Sequence, residues 1–181
     1  AAKKKSTQPP KKQAKIEGFR SAKFGMKEND IYRAISKDFK ISKSKVKQIV
    51  HSLEKTTSLE ITVPKLLGVG GTAKIGYILG FKSQRLMQVN VVWGRGVTKK
   101  VDAQSVVDAA NFLRNHLVKK KYKKEGFVAN GRMNDVTTIV FRGKDKKDRM
   151  ALLTLTAPKP EKGEEAKKAA QKVLLKLSYM L

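Results

Sequence analysis

Residues 88–93 read QVNVVW, and the β-branched and aromatic side chains in this run are typical of a strand. Upstream, Leu59, Ile61 and Val63 alternate with polar residues, which is the period of a strand with one buried face. Glycines are frequent between the two runs. Segment 59–97 is therefore predicted to consist of strands and turns.

Two short helices are predicted before this segment. Ile31, Ile35 and Phe39 recur at a spacing of four, which places them on one face of a first helix. Ser42 stands where an N-cap is expected before a second helix. Apolar residues with helical spacing then follow at Val46, Ile49, Val50 and Leu53. The prediction is a helical hairpin with one apolar face and one basic face.

A second set of elements is predicted after residue 101. Asp102 caps a helix whose apolar face carries Val106, Ala110, Leu113 and Leu117. Strands over 137–141 and 150–156 flank a turn at 143–148, and a final amphipathic helix carries Ala166, Ala170, Val173, Leu174 and Leu177. The predicted class is α+β, with a helical hairpin plus antiparallel β-region (17–97) and a smaller α-β-β-α unit (102–181). These units either fold separately or share one core.

Charge dominates the composition of this 181-residue chain, which has 41 Lys and Arg against 15 Asp and Glu, a formal net charge of +26. A field of this size attracts polyanions, namely nucleic acid, an anionic membrane surface or an acidic protein assembly. Hydrophobic residues make up 40% of the chain, enough to form a core. Residues 1–16 contain six lysines and no acid and are predicted to form a disordered basic arm.

The composition argues against several classes of chemistry. The chain has no Cys and 2 His, and its acids form no catalytic or metal-binding constellation, so we expect neither an enzyme nor a metal site. The motif from Gly68 to Ala73 fits a dinucleotide fingerprint loosely, but neither a helix nor a suitably spaced acid follows it. No cofactor is therefore expected. No apolar run is long enough for a membrane-spanning helix.

The candidate binding residues are the cations of the predicted basic surfaces. No acid lies between Glu60 and Asp102, which favours a surface that faces a polyanion. Trp93 is a candidate for stacking on a base. The nucleic-acid-binding set is Lys43, Lys45 and Lys47 on the second helix, Lys74, Lys82, Arg85, Trp93 and Arg95 on the β-region, and Lys3, Lys4, Lys5, Lys11 and Lys12 on the arm.

Residues 29–53 resemble the opening helical hairpin of the histone-like HU/IHF family. The matching features are the Ile31 and Ile35 pair, the entry to the second helix at 41–43, and the apolar positions from Val46 to Leu53. Proteins of that family are dimers whose β-arms embrace and bend the DNA minor groove. The resemblance implies a homodimer that binds DNA.

Residues 165–177, EAKKAAQKVLLKL, are similar to the last helix of a double-stranded-RNA-binding domain. Such domains recognise the shape and phosphates of the duplex rather than its base sequence. This second resemblance implies an RNA duplex as the partner. The two resemblances therefore agree on nucleic acid and differ on its kind.

The sequence predicts a non-enzymatic, architectural nucleic-acid-binding protein that contacts phosphates, with DNA favoured slightly over RNA. Two alternatives stay open: a basic linker or scaffold that binds acidic protein subunits in a large assembly, and an RNA-binding ribosome-associated protein. The expected location is inside the cell, in a nucleoid or nucleus, or in an organelle after removal of a targeting peptide.

Overall fold

The computed structural model describes residues 9–159 and 162–181. These residues form three α-helices: α1 (Glu28–Phe39), α2 (Ala103–Leu117) and α3 (Glu164–Gln171). They also form ten strands: β1 (Gly18–Phe19), β2 (Ala22–Lys23), β3 (Lys47–Val50), β4 (Thr57–Val63), β5 (Ala73–Leu79), β6 (Leu86–Gly94), β7 (Val128–Arg132), β8 (Thr137–Lys144), β9 (Met150–Thr156) and β10 (Leu174–Met180).

Eight of the strands form one antiparallel sheet in the order β3-β4-β5-β6-β10-β9-β8-β7. The last strand, β10, lies between β6 and β9 and pairs with both along its whole length. Strands β1 and β2 form a separate two-stranded ribbon. The chain is therefore a mixed α+β protein, as predicted, and its two predicted units contribute to one sheet.

One face of this sheet carries the core. Alternate side chains of the central strands point to this face and are fully buried, among them Leu59, Trp93, Leu153 and Leu175. Helix α2 packs against β6, β8, β9 and β10 on the same face. A single cluster of buried residues contains Ile31 of α1 together with residues from both halves of the chain. The two predicted units therefore share one core.

The first and third predicted helices form as expected. Ile31 and Ile35 of α1 are buried, as are Val106 and Ala110 of α2. The side chain of Asp102 caps α2, where it accepts a hydrogen bond of 3.1 Å from the Ser105 N–H. The cap satisfies one of the free N–H groups at the helix N-terminus.

The second predicted helix is wrong. Ser42 makes no capping bond and is followed by a single 3₁₀ turn at Lys43–Lys45, after which residues 47–50 form strand β3. Three of the four apolar positions are β-branched, and β-branched residues favour strands. Val50 and Leu53 are 64% and 94% exposed, so the expected apolar helix face is not buried.

The last helix is shorter than predicted. Helix α3 stops at Gln171, and residues 174–180 form strand β10. Leu175, Leu177 and Tyr179 point to the core face because they alternate with Lys176 and Ser178. Pairing on both sides in the centre of the sheet overrides the helical preference of the preceding Ala- and Lys-rich residues.

The chain before β1 also differs from the prediction of a disordered arm that extends to residue 16. Ala14 and Ile16 are buried, and the Ala14 N–H donates to Lys121 O at 2.9 Å. The Ile16 N–H donates to the buried carboxylate of Asp145 at 2.9 Å. Residues 11–16 therefore pack along the chain that follows α2; the prediction for residues 1–8 lies outside the described part of the chain.

Candidate nucleic-acid interface

The second face of the large sheet, which we call the open face, has no helix packed on it among the described residues. Its side chains alternate with those of the core and lie in rows that cross the strands. The middle row contains Lys47, Glu60, Gly76, Asn90, Ser178, Leu152 and Arg142. The neighbouring row contains Thr62, Lys74, Val92, Lys176, Thr154 and Ile139.

The charge of the open face is strongly one-sided. Glu60 is the one acid that the described strands present there. The cations of these strands span seven neighbouring strands, a distance of about 29 Å at the usual strand spacing. They are Lys47, Lys74, Lys176, Arg142 and Lys144. Such a surface attracts a polyanion along its length.

A polar network occupies the centre of the open face. The Ser178 hydroxyl donates to Asn90 Oδ1 at 2.7 Å, and Gln88 Nε2 donates to the same oxygen at 2.8 Å. Two donors on one oxygen orient the Asn90 amide so that its nitrogen is left to donate elsewhere. Lys74 and Lys176 lie on either side of Val92, one row away. Amide and ammonium donors are thus grouped on adjacent strands.

An apolar strip lies beside this network. Leu152, Met150 and Ile139 sit on β8 and β9 and are partly exposed, and Met180 of β10 continues the strip. Arg142 and Lys144 border it on β8. The open face therefore combines cations with an apolar surface, which suits a ligand that has both phosphates and apolar groups.

A groove of about 620 Å³ crosses the β4–β6 half of the open face. The loop that joins β3 to β4 forms one wall, where His51 Nε2 is 2.8 Å from the Ser58 hydroxyl. Lys74, Asn90 and Lys176 line the floor of the groove. The groove therefore opens onto the same donors that the strand rows bring together.

Two of the predicted cations, Lys47 and Lys74, lie on the open face. Arg85 instead donates to Gly25 O at 2.8 Å, and Lys43 lies 4.8 Å from the ring of Tyr32. The remaining described cations of the set are exposed outside the strand rows of this face, at Lys11, Lys12, Lys45, Lys82 and Arg95. Lys3, Lys4 and Lys5 lie outside the described residues.

Trp93 is on the opposite side of the sheet. It is 0% exposed, so a nucleic-acid base has no access to its ring. The glycine-rich loop covers it, because a Cβ atom on Gly70 would lie 3.1 Å from the indole ring. The Gly70 N–H donates to the Ser105 hydroxyl at 3.0 Å, which ties the loop to α2. Trp93 and Gly70 are therefore parts of the core rather than of a binding surface.

Sequence reasoning missed the other half of the open face. Lys176 was assigned to the predicted last helix, Ser178 follows that helix, and Asn90 and Arg142 belong to no motif. The missed signal is the alternation of Leu175, Leu177 and Tyr179 with polar residues, which has the period of a strand. Sequence cannot show that β10 inserts between β6 and β9, and that insertion places Lys176 near Lys74.

Comparisons with protein-family models, curated proteins and solved structures found no match to this chain. No helix in the described part of the chain has both the length and the apolar character needed to cross a membrane. Within residues 9–159 and 162–181, no three His, Asp or Glu side chains are grouped as they would be around a metal ion.

Proposed function

We propose that this chain is a non-enzymatic nucleic-acid-binding protein of the architectural kind, which binds the phosphate backbone with its open face. The supporting observation is an uncovered sheet face with five cations against one acid on its described strands. Phosphate contacts of this type supply affinity without base specificity. The chain would therefore bind many sequences.

The character of the open face favours a duplex over a single strand. Single-strand binding depends on aromatic side chains that stack on exposed bases. The described strands present no aromatic side chain on this face, because Tyr77, Trp93, Phe141 and Tyr179 all point to the core. A duplex needs only cations and donors along its backbone, which the open face supplies.

The apolar strip favours DNA over RNA. A deoxyribose presents C–H groups where a ribose carries a 2′-hydroxyl. The strip around Leu152 and Met150 can contact such C–H groups while Arg142 and Lys144 bind the adjacent phosphates. An RNA duplex would instead bring hydroxyl groups to a surface that has few donors there.

The proposal is tested by removing cations from the open face. The variant Lys74→Gln, Lys144→Gln, Lys176→Gln loses three open-face charges and keeps side chains of similar length. A control variant, Lys37→Gln, Lys99→Gln, Lys167→Gln, has the same net charge but is changed at exposed sites off this face. Both are titrated with duplex DNA in a salt series by fluorescence anisotropy.

Five phosphate contacts predict a slope of about −4.5 for log affinity against log salt, hence roughly 500-fold weaker binding at 200 mM than at 50 mM. The open-face variant should lose about three units of slope, whereas the control should keep most of the wild-type slope. If the control variant lost as much slope as the open-face variant, the proposal would be contradicted. The net charge of the chain, rather than the open face, would then determine binding.

Two further titrations separate the alternatives. Duplex RNA of the same length tests the preference for DNA, and polyglutamate tests the scaffold hypothesis. Tighter binding to DNA than to RNA, with weaker binding to polyglutamate, is the expected order. If polyglutamate binds as tightly as DNA and depends on the same three lysines, an acidic protein becomes the better partner.

A further inference from the structure

A cavity of about 510 Å³ lies on the core side of the sheet, remote from the open face. It opens between the chain at residues 12–16 and the C-terminal end of α2. Ala151 of β9, whose side chain is small, forms the part of the cavity floor that the sheet supplies. Besides Gln13, its polar lining is Lys12, Lys15, His116, Lys120, Tyr122 and Tyr179.

The two phenols are held in fixed positions by their rings. Tyr122 packs edge-on against Phe141, with ring centroids 4.9 Å apart, and a Cβ atom on Gly143 would collide with it at 2.7 Å. Tyr179 stacks on Phe19, with centroids 6.2 Å apart. Rings fixed in this way lose little conformational entropy when their hydroxyl groups bind a ligand.

Both hydroxyl groups are hydrogen-bond donors at neutral pH. Burial, and then the nearby Tyr179, raise the pKa of Tyr122 to about 12, and burial raises the pKa of Tyr179 as well. No hydrogen bond is among the causes that raise the pKa of either phenol. The hydroxyl groups are therefore free to donate to a ligand in the cavity.

The lysines reach the cavity because the backbone around them is anchored. The Lys121 N–H donates to Lys12 O at 2.9 Å, and the Ile16 N–H donates to Asp145 at 2.9 Å. Lys12 and Lys15 thereby lie opposite Lys120, which follows α2. No acid is among the residues that line the cavity in the described part of the chain. The side chains that line the cavity therefore carry positive charge and no negative charge.

We propose that this cavity binds the phosphate monoester group of a nucleotide. Three ammonium groups and two phenols suit a phosphate monoester, which carries close to two negative charges and three acceptor oxygens. Leu117, Ile16 and Ala151 give the cavity an apolar lining for the sugar or base. Its volume lies within the usual range for small-molecule sites, about 300–1,000 Å³. A free mononucleotide and the 5′-phosphate end of a strand share this chemistry.

The test uses adenosine 5′-monophosphate as the probe, adenosine as the probe without phosphate, and isothermal titration calorimetry of the full chain. The double variant Tyr122→Phe, Tyr179→Phe removes only two hydroxyl groups and should weaken monophosphate binding at least tenfold. Lys120→Gln should also weaken it several-fold. Lys99→Gln, an exposed charge elsewhere, should leave the affinity within twofold. Thermal unfolding of each variant verifies that it is folded.

The outcomes separate this site from the open face. The proposal is supported if the wild-type chain binds the monophosphate but not adenosine. This binding must also be lost in the tyrosine variant and kept in the variant Lys74→Gln, Lys176→Gln. Equal effects of Lys99→Gln and Lys120→Gln, or no effect of the tyrosine variant, would overturn it. A 5′-phosphorylated and a 5′-hydroxyl oligonucleotide, compared in the wild-type chain and the tyrosine variant, distinguish a strand end from a free nucleotide as the source of the phosphate.

Discussion

Gly70 connects the glycine-rich loop to the core. Its φ is +92°, in the region that residues with a side chain rarely adopt. A Cβ atom at this position would lie 2.8 Å from the Ala109 side chain and 3.1 Å from the indole of Trp93. The neighbouring Gly71 also has a positive φ, +70°, but a Cβ atom there would meet open space. A side chain at Gly71 would therefore add backbone strain alone, whereas a side chain at Gly70 would add both strain and steric overlap.

Replacing these glycines with alanine should have unequal effects on the free energy of unfolding. Gly71→Ala should cost about 1 kcal/mol, because it adds only the strain of a left-handed backbone. Gly70→Ala should cost about 3 kcal/mol, because overpacking against Trp93 and Ala109 adds to that strain. Urea denaturation followed by Trp93 fluorescence measures both. Equal costs would contradict the close approach of Gly70 to the core.

The sequence predicts the role of a residue well where that role depends on the local pattern. It predicts the role poorly where this depends on which distant residues pack against it. The alternation around β4 and β6 correctly marks these segments as strands, and Lys74 follows from the acid-free run. Trp93 shows the limit: an aromatic ring next to arginine looks the same in sequence whether it faces solvent or the core. Its complete burial depends on Gly70 and α2.

At the scale of elements, the sequence predicts a helix in place of a strand where the spacing of the apolar residues fits both the helical and the strand period. Ile49 and Val50 suit a helix stripe and also an edge strand, and the pairing of β3 with β4 decides between them. Leu175 and Leu177 likewise form strand pairs on both sides. Helix α2 was predictable because its Asp102 cap and the spacing of its four predicted apolar positions, all of them buried, indicate the same helix.

The turn between β8 and β9 anchors the chain before β1 at Ile16, and Asp145 is the residue of the turn that holds it. Asp145 is 1% exposed and accepts hydrogen bonds from the N–H groups of Ile16, Lys147 and Arg149, while the Arg149 guanidinium lies 2.8 Å away. Burial disfavours the charged carboxylate, but these hydrogen bonds outweigh burial and lower the pKa of Asp145.

Asp145→Asn should lower the free energy of unfolding by about 3 kcal/mol at neutral pH, because it leaves the nearly buried Arg149 without its partner. The Ile16 amide should also exchange its hydrogen faster. Because the pKa is lowered by folding, the ionised carboxylate stabilises the protein above pH about 4, and this advantage falls as the pH drops through the native pKa.

The matched control for this prediction is Asp148→Asn in the same turn. Asp148 pairs with Lys123 at 2.6 Å, but its side chain is 66% exposed and solvent screens the pair, so the change should cost much less stability than Asp145→Asn. Urea denaturation at pH 7 and at pH 3 and amide exchange by NMR measure both variants. Unchanged Ile16 exchange in Asp145→Asn would contradict the anchoring of the chain at Ile16.

For the whole molecule, the position of β10 determines whether the chain has one folding unit or two. Strand β10 comes last in the sequence but fills the centre of the sheet, with seven pairs to β6 on one side and seven to β9 on the other. Without it, the β3–β6 half and the β7–β9 half have no strand contact in the sheet order. Helix α2 packs against β10 and against strands of both halves, so it also depends on the complete sheet.

Residues 17–101 alone should therefore fail to fold, although they contain the whole of the predicted first unit (17–97). In this fragment β6 becomes an unpaired edge, and Val91 and Trp93 lose the cover of β10 and α2. Exposing so much apolar surface costs more than the marginal stability of a small domain. The measurement is an amide NMR spectrum of the fragment, alone and mixed with residues 102–181. Dispersed signals from the fragment alone would show two independent units; dispersion only after mixing would show that β10 completes a single core.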